Sequence, residues 1–303
     1  MIDVQFENIY GAPPPELVGA PAGAGQFSPL VPGAQALEQA APGSLNGLAL
    51  LAPPGTAERR YAIALALRAL HRDARLIVLA PKDKGGARIA SDLHDLGCAL
   101  DETARRHHRI CVAAGPGDER AIAAAIEDGA PRWLEEIGLW SQPGVFSWNR
   151  IDPGSTLLLA NLPALSGRGA DFGCGLGVLA KAALKSPKVV HLKLIDIDRR
   201  AVEMARRNVE DARAEFLWAD ARITPLTALD FVVMNPPFHD GGVENRALGQ
   251  SFIQRAAAAL RSSGTCWLTA NRHLPYEAML KSQFRRVALV AEAHGYKIYQ
   301  AQK

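Results

Sequence analysis

Cysteine is scarce in this chain of 303 residues, which contains four, none of them spaced as C-x-x-C. A disulfide framework or a zinc site is therefore not expected, and the composition favours a reducing, cytoplasmic environment. Long apolar runs are missing too, because the best one, at 61–70, is short and contains Arg68, whereas a membrane helix needs about 18–20 apolar residues. The first ten residues lack a basic segment followed by an apolar stretch, so we predict neither a secretory signal nor a membrane segment.

A large excess of either charge is also absent, since the net charge is only +3. The charge is nevertheless unevenly distributed. Residues 1–150 carry 14 Lys and Arg against 17 Asp and Glu, whereas residues 151–303 carry 20 against 14. The second half therefore has a net charge of +6, which permits a polyanionic partner but is too mild to establish one.

The first half of the chain begins with a segment rich in proline and glycine at 11–44, for which we predict mostly irregular structure. Strands then alternate with helices. The predicted strands lie at 47–51, 75–80 and 109–114, and the predicted helices at 56–71, 85–96 and 119–128. Such alternation is typical of βαβ units and a parallel sheet.

A connecting stretch at about 139–152 precedes a second series of the same kind. Its predicted strands lie at 169–173, 189–196, 214–219, 229–235 and 265–271, and its helices at 176–185, 199–212 and 249–261. The C-terminal segments RVALVAEA and YKIYQA predict a closing hairpin of two strands joined at His294-Gly295. Because domains contain about 100–200 residues, we predict two tandem α/β units that divide between residues 138 and 139.

A glycine-rich loop falls where the first predicted strand of the second series ends and a helix begins. It has the sequence Asp171-Phe172-Gly173-Cys174-Gly175-Leu176-Gly177. Glycines permit positive φ and the close approach of a ligand, and the helix N-terminus offers free N–H groups. The loop departs from the dinucleotide pattern G-x-G-x-x-G, because Val178 stands at the third glycine position. Asp171 suits a ligand with a cationic amine better than a pyrophosphate.

Two further aspartates follow the next predicted strands. Asp196 lies 21 residues after Gly175, where a carboxylate can bind both hydroxyls of a ribose. Asp220 follows the third strand and is placed to accept a hydrogen bond from an adenine amino group. Each aspartate alone fits a helix N-cap or a solvated loop. Because ligands of open α/β sheets bind at the strand C-termini, the three aspartates together predict a nucleoside-type site.

The strand at 229–235 runs directly into Asn235-Pro236-Pro237-Phe238. Pro236 forces Asn235 into an extended conformation, and the two prolines leave a rigid turn with unpaired carbonyls. The Asn235 side-chain oxygen and the Pro236 carbonyl can then accept both hydrogens of an exocyclic amine, which directs the nitrogen lone pair towards an electrophile. Phe238 offers a face on which a planar base can stack. The alternative is a purely structural proline turn.

The motifs DFGCGLG, LIDIDRRAV, FLWADA and NPPF, in this order and spacing, resemble those of class I S-adenosylmethionine-dependent methyltransferases. NPPF is the variant typical of those that methylate planar amines. The flanking segments 143–159 and 252–276 resemble the small-subunit ribosomal RNA guanine-N2 methyltransferase family. Members of that family also carry an N-terminal domain that looks like a methyltransferase without a cofactor. Residues 45–135 fit such a domain, but less specifically than the second half fits the catalytic one. Where a cofactor loop would follow the first strand, the loop 51–55, LAPPG, cannot form a three-glycine cradle.

The resemblance implies two tandem Rossmann-like methyltransferase domains in an α/β chain. The first, at 1–138, would be degenerate and would serve RNA binding or structural support. The second, at 139–303, would be catalytic, with a seven-stranded, mostly parallel sheet closed by an antiparallel hairpin. The implied cofactor-binding residues are Asp171, Gly173, Gly175, Gly177, Asp196, Ile197 and Asp220. The implied catalytic residues, which would bind the target base, are Asn235, Pro236 and Phe238.

The activity that the resemblance implies is methyl transfer from S-adenosylmethionine to the N2 amine of a guanine in 16S ribosomal RNA. Ribosomal RNA or the small ribosomal subunit would be the partner of a cytoplasmic monomer that needs no metal. Because loops like NPPF serve several amines, an adenine-N6 or protein-glutamine methyltransferase is an alternative. A non-catalytic RNA-binding assembly factor that retains the fold is another.

Overall fold

A computed structural model of the chain describes residues 2–237, 239–240, 243–244 and 246–303. The chain divides into two compact units, Met1–Ala130 and Pro131–Lys303. The division predicted between residues 138 and 139, like the roles assigned to the two halves, stays a prediction. None of the described helices is long and apolar enough to cross a membrane.

The first unit is built around a six-stranded sheet. Its strands are β1 (Ile2–Gln5), β2 (Asn8–Tyr10), β3 (Val18–Gly19), β4 (Gly25–Gln26), β5 (Leu45–Leu51), β6 (Leu70–Pro81), β7 (Ala99–Arg105) and β8 (His108–Ala114). Its α-helices are α1 (Thr56–Ala69), α2 (Ile89–Asp95) and α3 (Glu119–Gly129). The strand order in the sheet is β4-β2-β5-β6-β8-β7, and β1 pairs with β3 apart from it.

The prediction of a parallel sheet is wrong for β8, which runs antiparallel to β6. The cause is the unpredicted strand β7, which forms a hairpin with β8 through Arg106 and His107, both in the left-handed region. Helix α2 therefore connects β6 to β7 as a βαβ unit, and β8 returns between them. The β7 side chains are almost all exposed, so its sequence lacks the apolar alternation that predicts a strand.

The second unit contains a seven-stranded sheet and five helices in its described residues. Its strands are β9 (Arg132–Leu134), β10 (Leu139–Ser141), β11 (Gly167–Phe172), β12 (Val189–Asp196), β13 (Ala214–Trp218), β14 (Leu229–Met234), β15 (His239–Asp240), β16 (Val243–Glu244), β17 (Leu260–Asn271), β18 (Arg286–Ala293) and β19 (Tyr296–Gln302). Its helices are α4 (Pro153–Asn161), α5 (Val178–Ala183), α6 (Arg199–Asn208), α7 (Arg246–Ala259) and α8 (Glu277–Gln283).

The strand order of this sheet is β13-β12-β11-β14-β17-β19-β18. The first five strands are parallel, and β19 and β18 are antiparallel to their neighbours. Strand β14 is buried on both faces: Phe231 and Val233 pack in the same cluster as α5, and Val232 and Met234 pack with α7. Such two-sided burial is typical of parallel strands and leaves only the strand ends for polar chemistry.

The segment predicted as a connector at 139–152 contains β10, which forms a hairpin with β9, and ends at the start of α4. Asp152 is the N-cap of α4, since its Oδ2 accepts a hydrogen bond of 2.9 Å from the Ser155 N–H. Pro153 occupies the first helical position, where its missing N–H costs nothing. This Asp-Pro pair is a helix-start signal that the sequence contains and that our prediction missed.

The central strands leave no room for a side chain at Gly169, which pairs with Phe231 across β11 and β14. A Cβ at this position would lie 2.1 Å from the Phe231 ring. We therefore expect Gly169→Ala to destabilise the second unit by about 1–3 kcal/mol. All five tryptophans lie in residues 131–303, so their fluorescence in a denaturant titration follows this unit.

A double-variant cycle is the control for this prediction. In a Phe231→Leu background the ring is absent, so Gly169→Ala should cost less free energy of unfolding than it does in the wild type. An equal loss in both backgrounds would show that contact with the ring is not the cause.

Candidate active site

The predicted polar residues lie at the ends of neighbouring parallel strands. From the edge of the sheet inwards, β13 leads to Asp220, β12 ends at Asp196, β11 leads into the glycine loop, and β14 leads to Asn235. The chain builds β11, β12 and β13 towards one edge and then crosses to the other side of β11 to form β14. This arrangement is a topological switch point, where open α/β sheets bind their ligands.

The glycine loop turns through three residues with positive φ, namely Gly173 (73°), Gly175 (51°) and Gly177 (78°). A Cβ on Gly175 would meet no described atom within 4 Å, and the nearest to one on Gly173 would be the Phe252 ring at 3.8 Å. A Cβ on Gly177 would instead lie 3.0 Å from Val209. Gly173 and Gly175 therefore border open space, whereas Gly177 allows the loop to pack closely on neighbouring residues.

Asp196 holds the glycine loop through its carboxylate. Its Oδ2 accepts a hydrogen bond from the Gly175 N–H and its Oδ1 one from the Asp198 N–H, both at 2.9 Å. Burial raises the pKa of Asp196 to about 6, although these N–H groups act in the opposite direction. The next side chain, Ile197, is 38% exposed and offers an apolar surface beside this carboxylate.

Asp171 lies fully buried beneath the loop rather than on its open side. Its Oδ2 accepts a hydrogen bond of 3.1 Å from the Ala180 N–H in α5, and its Oδ1 meets no partner among the residues that the structure describes. Burial raises the pKa of this carboxyl to about 8. The group therefore supports the start of α5 and retains one unused oxygen close to the loop.

Asp220 forms its hydrogen bonds with residues two to four positions further along the chain. Arg222 donates to both carboxylate oxygens, from Nε to Oδ1 at 2.9 Å and from Nη2 to Oδ2 at 2.6 Å. The Asp220 carbonyl accepts a hydrogen bond from the Thr224 hydroxyl at 2.7 Å. The predicted contact of this carboxylate with an adenine amino group stays a prediction.

A cavity opens at the switch point between the glycine loop and the end of β14. Of the residues predicted to form the site, Gly173, Gly175 and Asn235 line it. Its other lining residues, which the sequence analysis did not assign to the site, are Phe146, Ser147, Arg150, Ile151, Asp152, Ser155, Cys174, Leu176, Val178 and Leu179. The cavity thus joins the loop that follows β11 to the proline turn that follows β14.

The Asn235 side chain is held from one side by the start of α4. Its Nδ2 donates to Asp152 Oδ2 at 2.8 Å and to Ser155 Oγ at 2.9 Å. An ionised carboxylate can only accept, so the atom that faces Asp152 is the amide nitrogen and the amide oxygen is turned to the other side. These partners lie 83 and 80 residues away in sequence, which is why a local motif could not reveal them.

The proline turn continues from Asn235 into Pro236, which is buried, and Pro237, which is half-buried. Pro236 carries no N–H, so its carbonyl is its one backbone hydrogen-bonding group. Phe238, the predicted stacking residue, lies outside the described residues. The structure therefore places Asn235 and Pro236 at the end of β14 beside the glycine loop.

Comparisons with known proteins support an active site in this part of the chain. Residues 136–300 match the family model of the methyltransferase small domain. With the sheet order and the glycine loop, this match defines an α/β methyltransferase.

Relatives that match most of the chain identify the family. The chain is 33% identical over 258 residues to the ribosomal RNA small subunit methyltransferase C of Shewanella sp. (strain MR-4), covering 80% of this chain and 73% of that protein. It is 31% identical over 275 residues to the protein of that name from Shewanella loihica, and the match covers 86% of this chain and 78% of that protein. The T. thermophilus 16S rRNA N2 G1207 methyltransferase (RsmC), in complex with AdoMet and guanosine, is similar in structure with a TM-score of 0.73 and 25% identity, over 92% of this chain and 78% of that one. This chain therefore belongs to the ribosomal RNA small subunit methyltransferase C family.

The buried Asp171 carboxyl predicts a pH-dependent stability in the absence of ligand. Its pKa is raised from 3.8 to about 8 in the folded chain, so the folded state binds the proton more tightly than the unfolded state. The resulting stabilisation is complete at pH values below the pKa that Asp171 has in the unfolded chain, and it is lost as the pH rises towards 8. We expect the free energy of unfolding of the second unit to fall with pH across this range in the wild type and to fall less in Asp171→Asn.

Asp211→Asn is the matched control. The hydrogen bond from Arg213 lowers the pKa of Asp211 to about 2, which lies outside the pH range over which Asp171 acts. This variant should therefore keep the wild-type dependence of the free energy of unfolding on pH. Tryptophan fluorescence in denaturant, measured at several pH values, gives this dependence for the wild type and both variants. If the free energy of unfolding of Asp171→Asn fell with pH as steeply as that of the wild type, Asp171 would not be the cause of the pH dependence.

Proposed function

We propose that this chain transfers a methyl group from S-adenosylmethionine to the exocyclic N2 amine of a guanine in 16S ribosomal RNA. The family supports this reaction, and the related T. thermophilus protein was solved with AdoMet and guanosine. The observation that carries the proposal is the orientation of Asn235. Its amide oxygen is turned away from Asp152 and Ser155 in a cavity that the glycine loop also lines.

The residues around the glycine loop fit the cofactor. The open space beside Gly173 and Gly175 admits a ligand against the backbone, and Asp171 retains an unused buried oxygen near the loop. In our proposal, the glycine loop holds the methionine part. Gly173 and Gly175 lie against the ligand, Gly177 keeps the loop packed, and Asp171 supports the loop from beneath. Asp196 then holds the ribose, and Ile197 and Asp220 contact the adenine. S-adenosylmethionine, when bound, supplies an activated methyl group on a sulfonium.

The proline turn holds the target amine. The Asn235 Oδ1 and the Pro236 carbonyl accept its two hydrogens, so that the nitrogen lone pair points away from the turn and towards the glycine loop. Asp152 and Ser155 keep the Asn235 amide from flipping, since a flipped amide would set two acceptors, Oδ1 and the Asp152 carboxylate, against each other. Phe238 stacks on the base. Catalysis then rests on positioning, which can lower a barrier by several kcal/mol.

We also infer that the first half of the chain is a degenerate methyltransferase domain, so that the chain has two tandem Rossmann-like domains, at 1–138 and 139–303. The loop after β5 contains Pro53-Pro54-Gly55, and Gly55 has an ordinary φ of −69°. The guanidinium of the buried Arg59 donates to the Pro54 carbonyl at 3.0 Å and to Asp92 at 2.6 Å. This ion pair fills space beside the loop. The domain then serves RNA binding or structural support in a cytoplasmic monomer that needs no metal.

Nucleoside mass spectrometry of 16S ribosomal RNA from a deletion strain tests the proposed function. One N2-methylguanine should disappear, and it should return on complementation with the wild type but not with Asn235→Ala. Loss of N6-methyladenine with unchanged N2-methylguanine would favour the adenine reaction instead. An unchanged set of modified nucleosides would favour either the protein-glutamine reaction or the non-catalytic assembly factor, and only the latter would also fail to bind S-adenosylmethionine in a calorimetric titration.

Asn235→Ala removes the acceptor for the target amine and leaves the residues assigned to the cofactor intact. We expect kcat to fall by the equivalent of about 2–4 kcal/mol of transition-state stabilisation. The dissociation constant of S-adenosylmethionine should stay close to that of the wild type. Asn161→Ala, at the far end of α4 and outside the cavity lining, is the matched control and should keep both values. A near-wild-type kcat for Asn235→Ala would refute the assigned role.

Asp196→Ala should have the opposite effect, because two ribose hydroxyls lose a charged acceptor worth about 1.5–3 kcal/mol. Calorimetric titration should show weaker binding of S-adenosylmethionine, whereas Glu203→Ala, which changes a carboxylate on the surface of α6, should bind as the wild type does. The same titration of the wild type should give one cofactor per chain. Two per chain would contradict a degenerate first domain, and unchanged affinity in Asp196→Ala would mean that the ribose is held elsewhere.

A further inference from the structure

A second cleft in the unit of residues 131–303 combines aromatic rings with positive charge. Trp133 and Trp140 of the β9–β10 hairpin line one side, with ring centroids 6.4 Å apart and planes at 70°. Lys181 and Lys185, on α5 and just beyond its end, and Arg207 on α6 also line it. These residues share no member with the lining of the cavity at the switch point. We call this feature the Trp133 cleft.

Trp133 carries the accessible aromatic surface of the cleft. Its side chain is 44% exposed, whereas Trp140 is half-buried and its ring is covered by the Arg207 guanidinium at 4.8 Å from the ring centroid. The hairpin is firmly held, because Asn208 accepts from the Trp140 N–H at 2.8 Å and donates to the Trp140 carbonyl at 2.9 Å. A large aromatic ring exposed on a well-fixed hairpin is available to a partner.

Positive charge exceeds negative charge among the residues that line the cleft. Lys181 and Lys185 are exposed, and within the described part of the chain neither pairs with a carboxylate. Of the two acidic side chains in the lining, Asp211 is bound by Arg213 at 2.6 Å. Three cations therefore face one remaining carboxylate, that of Glu210.

Two arginines of the β7–β8 hairpin, Arg106 and Arg109, differ in this respect, because each has a carboxylate partner. Arg106 pairs with Glu16 at 3.3 Å, and Arg109 contacts Glu102. Those cations must leave an internal partner before they can contact phosphate, whereas Lys181 and Lys185 need not. Local charge thus favours the Trp133 cleft as a site for a polyanion.

We propose that the Trp133 cleft binds an unpaired nucleotide of the substrate RNA, with the base stacked on Trp133 and the neighbouring phosphates on Lys181 and Lys185. This proposal rests on the proposed function. Proteins hold single-stranded nucleic acid by combining a basic groove with aromatic rings on which bases stack. Inside a duplex both faces of a base are covered by the neighbouring base pairs, so the cleft selects unpaired RNA whose bases are unstacked.

The position of the cleft allows one RNA strand to reach both sites. Helix α5 starts beside the glycine loop at Gly177 and ends near the lysines of the cleft. Its six residues span about 9 Å, which is close to the length of three stacked nucleotides. Asn208 links the two sites, since it binds Trp140 and also donates to the Leu176 carbonyl of the glycine loop at 3.0 Å. The cleft therefore holds a nucleotide close in sequence to the target guanine.

A binding titration with a short unstructured RNA labelled with fluorescein tests the stacking contact. Trp133→Ala should weaken binding about 5- to 100-fold, and Trp133→Phe, which keeps a ring, should restore most of the affinity. The titration is performed with the full chain. Unchanged affinity for S-adenosylmethionine in both variants shows that the fold is retained. Wild-type RNA affinity in Trp133→Ala, or equal affinity for single-stranded and fully duplex RNA, would overturn the proposal.

The salt dependence of the same titration tests the phosphate contacts. The Lys181→Ala/Lys185→Ala double variant should flatten the slope of log K against log salt by about 1.4, at about 0.7 for each phosphate contact. Lys188→Ala, an exposed lysine outside the cleft lining, is the matched control and should keep the wild-type slope. A wild-type slope in the double variant would remove both lysines from the interface and overturn the proposal.

Steady-state kinetics separate this proposal from the proposed function. Trp133→Ala should raise KM for the RNA and leave kcat almost unchanged, because the cleft lies outside the cavity at the switch point. If the wild type forms N2-methylguanine and Trp133→Ala keeps the wild-type KM, the cleft proposal alone fails. If the wild type forms no N2-methylguanine but the RNA-binding effects are found, the cleft stands and the proposed function fails.

Discussion

Burial of β11 and β14 on both faces is the constraint on which the site in the second unit depends. The side chains of β14 alternate between two apolar clusters, and Gly169 of β11 is small because the Phe231 ring lies against it. A polar or charged side chain in the middle of such strands would carry a large desolvation cost. Polar chemistry is therefore found where the strands end. Because the strands are parallel and adjacent, their polar ends meet at one edge.

The ends of these strands are joined to the rest of the unit by polar contacts that each serve two elements. Asp152 Oδ2 caps α4 through the Ser155 N–H and also fixes the amide of Asn235. Asp196 ends β12 and holds the Gly175 N–H of the glycine loop. Each carboxylate thus stabilises local backbone and orients a group in the cavity. A change at Asp152 is expected to act on the site through Asn235, as a positioning effect.

Net charge is a poor guide to where positive charge is available on the surface of the second unit. The second half has a modest positive charge, and many of its arginines are paired with carboxylates inside the unit, as Arg200 is with Asp198 and Arg213 with Asp211. What distinguishes the Trp133 cleft is the combination of an exposed ring with two lysines that pair with no carboxylate among the described residues. In the first unit, Arg59 is bound to Asp92 and the Pro54 carbonyl, so its charge supports the fold.

Features that are encoded within a few neighbouring residues could be predicted before the structure was known. The glycine loop, the proline turn and most helices and strands of the second unit could be read from the sequence, because glycine, proline and apolar periodicity act on the local backbone. The spacing of Asp196 and Asp220 also placed them at successive strand ends. The antiparallel direction of β8, the position of Asp171 beneath the loop and the neighbours of Asp152 and Trp133 could not be predicted in this way. Those outcomes depend on contacts between residues far apart in the chain, and no local pattern records which distant residue will supply a hydrogen bond, an opposing charge or a covering side chain.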